Sequence, residues 1–315
     1  MNRCPITYGE CDAGNYSKRG LRLLNRNLSK LNVFPLSAME QRREAIARAG
    51  KISIQGVQPK LSASLSVKNS VFEIVDRGAH YILKPQHGDY PQLPENEGLT
   101  MHMADIAGMD VPLRGLIYSR DGSLTYFVRR FDRAGKAGKL ATEDFAQLSG
   151  KDRSTKYRSS MEKLAEILDE HCTFPAVEKL KLFKRSLFSY LSGNEDMHLK
   201  NFSLIRRRGK IELAPLYDHL NSSIALQAMG RSLNDIEEVA LPLRGKKHHL
   251  TRRDWVDYYG IERLKLNEKV ITECMNAFSA YAPKWFDLIK ISFLSHEMKK
   301  LYSDLLAQRC AILGL

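Results

Sequence analysis

The change of hydropathy period along the chain is what most constrains its fold. Between residues 53 and 131 apolar and polar residues fall into short β-rich runs, "LSASLSV" (61–67), "VFEIV", "HYILK" and "LTYFVRRF", separated by Asn, Gly, Asp and Pro. Such runs are the signal of antiparallel strands joined by turns. One helical stretch, "ENEGLTMHMADIAG" (95–108), is inserted among them. After about residue 140 the pattern becomes mainly helical. "MEKLAEILDEH" (161–171) puts Met161, Leu164, Ala165 and Leu168 on one face, and "AVEKLKLFKRSLFSYLSG" (176–193) is a strongly apolar helix ended by Gly193. Further helices are expected over 250–315, and two before the sheet, "YSKRGLRLLNRNL" and "SAMEQRREAIARAG", the second closed by Gly50. The reading is an α+β chain in two parts, a β-rich N-terminal lobe over 1–133 and a mainly helical C-terminal lobe over 134–315.

Charge narrows the partners. Lys and Arg number 49 against 36 Asp and Glu, a formal net charge of +13. Basic clusters such as "RRRGK" (206–210), "RGKKHH" (244–249) and "TRR" (251–253) invite a nucleic-acid reading. No helix-turn-helix, zinc-finger or RNA-binding signature accompanies them, so solvated turns are the plainer reading and direct sequence-specific DNA binding is not expected. His248 and His249 belong to such a basic loop. The opening "MNRCPITYGECDAGNYSKRG" has no apolar core of a secretory leader, and no apolar run approaches the ~20 residues of a membrane span. Five scattered cysteines suit reduced thiols in the cytoplasm. Cys4 and Cys11 have no third or fourth zinc ligand near them in sequence, and Cys172, Cys274 and Cys310 read as small apolar residues of helical segments.

The chemistry concentrates in "GNEDMHLKNFSLIRRRGKIELAPLYDH" (193–219). "FSLIR" and "KIELA" flank the turn "RRG", which predicts a β-hairpin. A hairpin brings its outer ends together, here Asn201 and Asp218, while Asp196 lies five residues before Asn201. That gives one carboxylate to meet a substrate hydroxyl, and an amide with a second carboxylate to share a hard cation such as magnesium. Taken singly, each has a plainer role: Asp196 and Asn201 cap a turn, and Asp218 caps a helix. The Asp-x4-Asn spacing with a later Asp is, however, the order of a protein-kinase catalytic loop and its metal-binding aspartate. Three further parts precede it. Lys84 ends the strand "YILKP", where an ammonium can meet nucleotide phosphates; "FVRRFDR" (127–133) is an extended segment suited to holding adenine by its backbone; and Gly56 in "SIQGVQPK" (53–60) lets backbone N–H groups approach phosphates. Glu97 on the inserted helix either pairs with Lys84 or caps, and Glu143 and Asp144 begin a helix after Thr142.

Together, "SIQGVQPK", "YILKP", "NE", "VRRFDR", "EDFAQLSG", "GNEDMHLKNFSLI" and "LAPLYD" resemble the HipA-type serine/threonine kinases of bacterial toxin–antitoxin systems, over roughly residues 50–245. The resemblance implies a two-lobed, protein-kinase-like fold and an ATP- and Mg2+-dependent kinase. It implies Asp196 as catalytic base, Asn201 and Asp218 as magnesium ligands, and His198, Lys200 and Tyr217 at nucleotide-site positions. Gln55, Gly56, Val57 and Gln58 would form the phosphate loop, Lys84 would contact the phosphates, and Arg129, Arg130 and Phe131 would be the adenine hinge, with Asp132 near the ribose. Arg129 departs from the acidic residue associated with that position. Ser53 would be an autophosphorylation site, with Ser62 and Ser64 as competing acceptors nearby; a phosphate there would repel those of ATP. Only about fifty residues precede the glycine-rich stretch. That likens the chain to the shorter HipT form, whose missing subdomain is a separate HipS-like protein encoded beside a HipB-like DNA-binding antitoxin. The implied target is a protein, with a glutamyl- or tryptophanyl-tRNA synthetase as candidate. Other readings are a small-molecule or lipid kinase, and a catalytically silent corepressor module of a DNA-binding antitoxin.

Overall fold

A computed structural model of the protein describes residues 2–48, 58–135 and 138–315. The chain divides into two compact units: Met1–Leu99, Pro112–Arg130 and Ile291–Ser295 form the first, and Thr100–Val111, Phe131–Lys290 and His296–Leu315 the second.

The first unit begins with helices α1 (Lys18–Leu24) and α2 (Ala38–Arg48). The first is shorter than its sequence suggests, because Asn25 ends it in extended backbone and its side-chain oxygen accepts from the Asn27 N–H at 2.9 Å. A side chain that bonds its own backbone two residues on offers the chain a turn in place of a helix. Strands β1 (Leu61–Ser66), β2 (Val71–Ile74), β3 (Tyr81–Lys84), β4 (Arg114–Tyr118) and β5 (Leu124–Arg129) pair antiparallel in the order β2-β1-β3-β5-β4. β3 is therefore central, laddered on both sides. Helix α3 (Leu93–Ile106) is inserted between β3 and β4. Leu61, Ala63, Leu83 and Phe127 on the sheet pack with Leu21, Leu24 and Phe34 from the N-terminal segment, all buried. Phe72, Tyr81 and Phe127 make an aromatic cluster with ring centroids 5.1–6.1 Å apart.

The second unit carries short strands before its helices: β6 (Arg133–Ala134), β7 (Gly138–Lys139) and β8 (Thr142–Asp144), then α4 (Phe145–Leu148), α5 (Met161–His171) and α6 (Pro175–Leu191). The expected hairpin follows as β9 (Ser203–Arg207) and β10 (Lys210–Leu213). Its turn residues Arg208 and Gly209 both have positive φ (50° and 76°), the geometry that matches the twist of paired strands. β8 adds to the hairpin, with Asp144 opposite Ser203. Glu143 and Asp144 thus lie in a strand, and the helix starts one residue later at Phe145. Asp144 caps that helix in a capping box with Gln147. Helices α7 (Ser222–Ala228), α8 (Glu268–Ile291) and α9 (His296–Leu313) complete the unit, with a π-helical stretch over Asp254–Arg263. α6 is its axis: Leu182, Phe183, Leu187 and Phe188 are fully buried, and Phe188 packs on Trp285 at 5.6 Å. Among the described residues no helix is long and apolar enough to cross a membrane.

Candidate active site

The candidate catalytic-loop segment is built on the end of α6. Gly193 stops that helix with φ of +74°, and a Cβ there would stand 2.3 Å from Asn221 Oδ1. The chain then folds tightly upon itself. Asn194 N–H donates to Ser189 O at 2.9 Å, Asn194 Oδ1 accepts from the Asp196 N–H at 3.0 Å, and the Asp196 carbonyl accepts from the His198 N–H at 2.8 Å and from Asn201 Nδ2 at 2.9 Å. Leu199–Asn201 form one 3₁₀ turn leading into β9. Asp196 and Asn201 are thus tied by a hydrogen bond. Asn201 spends its amide N–H on the Asp196 backbone, which leaves its Oδ1 as the acceptor end.

The far end of the hairpin returns to the same place. The Tyr217 and Ser203 hydroxyls share a hydrogen bond of 2.5 Å, and the Tyr217 hydroxyl donates to Lys200 O at 2.9 Å. Phe131 packs on the Tyr217 ring at 5.3 Å. Asp218, the next residue, has φ of +54°, a left-handed conformation that non-glycine residues adopt at a cost. Strain of this kind clusters where a side chain must be aimed. Lys200 Nζ lies 2.6 Å from Asp144 Oδ2, so this cation is paired within the loop system.

His198 is buried, and its Nε2 lies 2.6 Å from Lys156 Nζ. Burial, with the nearby Lys156 charge, lowers its pKa, against the raising influence of Asp196 and Asp218. A neutral ring accepting the Lys156 ammonium at Nε2 carries its proton on Nδ1, and that buried nitrogen has no hydrogen-bond partner among the described residues. The Tyr157 hydroxyl donates to Asp196 Oδ1. Neither Lys156 nor Tyr157 was singled out by the sequence, since the stretch 151–160 has no apolar period.

In the first unit, Lys84 closes β3 and points its ammonium to Glu97 Oε1 on α3, 2.5 Å away, with both side chains almost fully buried. Nearby, burial raises the Glu95 carboxyl to about 7, and its two oxygens each accept from Gln86 Nε2 at 2.8 Å. Gln58 is half-buried just before β1, its amide nitrogen unpartnered among the described residues. Arg129 and Arg130 spend their backbone N–H groups on Leu113 O and His80 O (2.7 and 2.8 Å), so adenine-facing amide donors would have to come from Phe131 onward. Ser53, Gln55, Gly56 and Val57, with Gly50, lie outside the described residues. Of the competing serines, Ser62 is buried in β1 and Ser64 half-buried beside it. Cys4 is buried and Cys11 half-buried; among the described residues no three His, Cys, Asp or Glu side chains gather as a metal group.

Comparison with known proteins places the chain in a family. The HipA-like C-terminal domain family matches residues 52–286. The chain belongs to the HipA-like family. It is 31% identical over 267 residues to a Haemophilus influenzae protein named "Putative kinase", covering 78% of this chain and 75% of that one. It also matches the serine/threonine-protein kinase toxin HipA of Shewanella oneidensis, 28% identical over 188 residues, 53% of this chain and 42% of the toxin. That sequence match spans less than half the length of the toxin. The structure of Shewanella HipA, solved with HipB and its operator DNA, superposes with a TM-score of 0.68 at 21% identity, over 91% of this chain and 74% of that one. The kinase-like α+β fold is therefore shared.

The residues present suit Mg·ATP. Asn201 Oδ1 and the Asp218 carboxylate are hard oxygen donors of the kind magnesium takes, one or two from protein and the rest from phosphate and water. In the second unit, the His198 nitrogen that has no partner among the described residues is a donor suited to an anion, and in the first unit so is the Gln58 amide.

Proposed function

We propose that the chain is an ATP-dependent protein serine/threonine kinase acting as the toxin of a HipA-type toxin–antitoxin system. The observation that carries the reading is the bonded loop of the second unit. Asn201 Nδ2 holds the Asp196 carbonyl, and Tyr217 holds the Lys200 carbonyl immediately before the left-handed Asp218. Asp196 would take the proton of an acceptor hydroxyl as its oxygen bonds the γ-phosphorus and ADP departs. Asn201 Oδ1 and Asp218 would hold magnesium, which supplies positive charge to the phosphates. Lys84, held by Glu97, would add a point charge, so that catalysis is mostly positioning and charge neutralisation.

By likeness to the Shewanella complex, a HipB-like antitoxin is the proposed partner. The shorter HipT-like form, a HipS-like companion, an aminoacyl-tRNA synthetase as target and Ser53 as autophosphorylation site are the finer parts of the same proposal. Intact mass after incubation of dephosphorylated protein with Mg·ATP tests it, beside Asp196→Asn and Ser53→Ala. One added phosphate in the parent and none in either variant supports it. Uptake that persists in Asp196→Asn removes Asp196 from the chemistry. No phosphate transfer, to the chain itself or to its candidate target, favours a silent corepressor module.

A further inference from the structure

Asp196 is pinned by hydrogen bonds to its backbone, but its own loop makes no hydrogen bond to its side chain. Its N–H and carbonyl make three hydrogen bonds to Asn194, His198 and Asn201. None of these touches the carboxylate, whose side chain is 47% exposed. The last torsion of an aspartate is broad, so a carboxylate without a partner would swing. Among the described residues the one hydrogen bond to this carboxylate comes from outside the loop, from the Tyr157 hydroxyl to Oδ1.

Tyr157 is itself held. Its ring meets the His198 ring edge-on with centroids 5.1 Å apart, and Lys156 Nζ stands 4.8 Å from its ring centroid. Lys156 is in turn fixed at both ends: Nζ lies 2.6 Å from His198 Nε2, and its carbonyl accepts from the Leu199 N–H at 3.3 Å. His198 Nε2 closes the circuit 3.9 Å from Asp196 Oδ1. The segment entering this circuit is set by Asp152, whose Oδ1 accepts from the Ser154 and Thr155 N–H groups at 2.8 and 3.0 Å. Burial and the bond to Asp196 both raise the Tyr157 pKa, so the hydroxyl remains a donor at neutral pH.

We infer that Tyr157, braced by Lys156, is a positioning residue for the catalytic base: it holds Asp196 Oδ1 and leaves Oδ2 to take the acceptor's proton. A base oriented by a third group is the general arrangement for activating a hydroxyl. This rests on the kinase reading above. Nothing is transferred to Tyr157 in the step; its hydrogen bond is kept while the acceptor's proton moves to Oδ2.

The test is single-turnover autophosphorylation followed by intact mass, with the limiting rate and the half-saturating Mg·ATP concentration measured separately. Tyr157→Phe removes the hydroxyl and keeps the ring. The limiting rate should fall about 10- to 100-fold, the cost of slight misplacement at a reacting centre. Half-saturation should stay within about twofold, and the melting transition should be retained. Lys156→Met should slow the reaction in the same direction by a smaller factor. A merely structural role would not split rate from half-saturation in this way. A Tyr157→Phe rate equal to or above the parent's overturns the inference, because the hydroxyl would then only occupy the acceptor's place. Phosphate mapped to Tyr157 itself overturns it too, as does weakened nucleotide binding with an unchanged limiting rate. Should Tyr157→Phe fail to fold, Lys156→Met decides: slowing with retained melting supports the inference, and a parental rate removes it. A parent chain that takes up no phosphate in any condition sinks the kinase reading first and this inference with it. A parent that does so with Tyr157→Phe unaffected sinks this inference alone.

Discussion

Replacing Glu97 by Gln should loosen the centre of the first unit by an amount the burial of its ion pair sets. Lys84 Nζ and Glu97 Oε1 are 2.5 Å apart, with side-chain exposures of 4% and 1%. The Lys84 ammonium also stands 5.6 Å from the centroid of the Tyr126 ring. Solvent screens such a pair little, and removing one partner withdraws a contact that offsets the other's desolvation. The cost of breaking a buried pair in this way is about 3–5 kcal/mol. At about 1.36 kcal/mol for each power of ten, exchange of amides that open only with the unit should quicken by roughly two to four powers of ten. Those amides lie in β3, which is bonded to β1 on one side and β5 on the other. Hydrogen exchange read by mass spectrometry on peptides covering residues 81–84 is therefore the assay. Lys84→Met should behave alike, and the double variant Lys84→Met/Glu97→Leu should recover much of the loss, since apolar groups of similar size carry no charge to desolvate. Glu97→Gln that leaves β3 protection within threefold of the parent would refute the argument, and with it the claim that the lysine is held in place by its carboxylate.

Two further changes test the second unit. Gly193→Ala forces a left-handed residue to carry a side chain and drives its Cβ to 2.3 Å from Asn221 Oδ1, the atom that caps α7 by accepting from the Ile224 N–H. Together these should cost roughly 2–4 kcal/mol. Urea unfolding followed by tryptophan fluorescence reads it, because Trp255 and Trp285 are both buried in that unit; a loss under about 1 kcal/mol goes against it. Glu195 is pushed to about 7 by burial, with the Asp196 charge adding to the shift, from an ordinary 4.5. Between those pH values the unfolded chain gives up this proton and the folded chain keeps it, so stability is full below 4.5 and falls as pH rises through about 7. Glu195→Gln lacks that fall and should be the more stable form at neutral pH by on the order of 2 kcal/mol after screening. Parallel stability–pH curves for the two proteins would show that Glu195 titrates normally.

What could be read from the sequence divides by the distance over which each signal acts. Strand β3, the hairpin β9–β10 and the end of α6 are local statements. "YILK" is a short β-rich run, Arg208-Gly209 supplies the two left-handed residues a tight turn needs, and Gly193 stops a helix. The hairpin also carried a long-range expectation, that its ends bring Asn201 and Asp218 together; the residues just before them, Lys200 and Tyr217, are bonded. β8 escaped because three residues cannot show a period; it exists as a strand only where β9 offers a free edge. The same holds for what holds the catalytic loop. Tyr157 meets Asp196 across 39 residues, Lys156 meets His198 across 42, and Asp144 meets Lys200 across 56. Nothing in a run of polar residues marks one tyrosine as the partner of a carboxylate so far away, for the pairing is made by the packing of α5 and α6 and not by spacing. The residues proposed to do chemistry sit in a short ordered motif, whereas those proposed to aim them are scattered. A motif therefore points to the proposed base before it points to what would orient it.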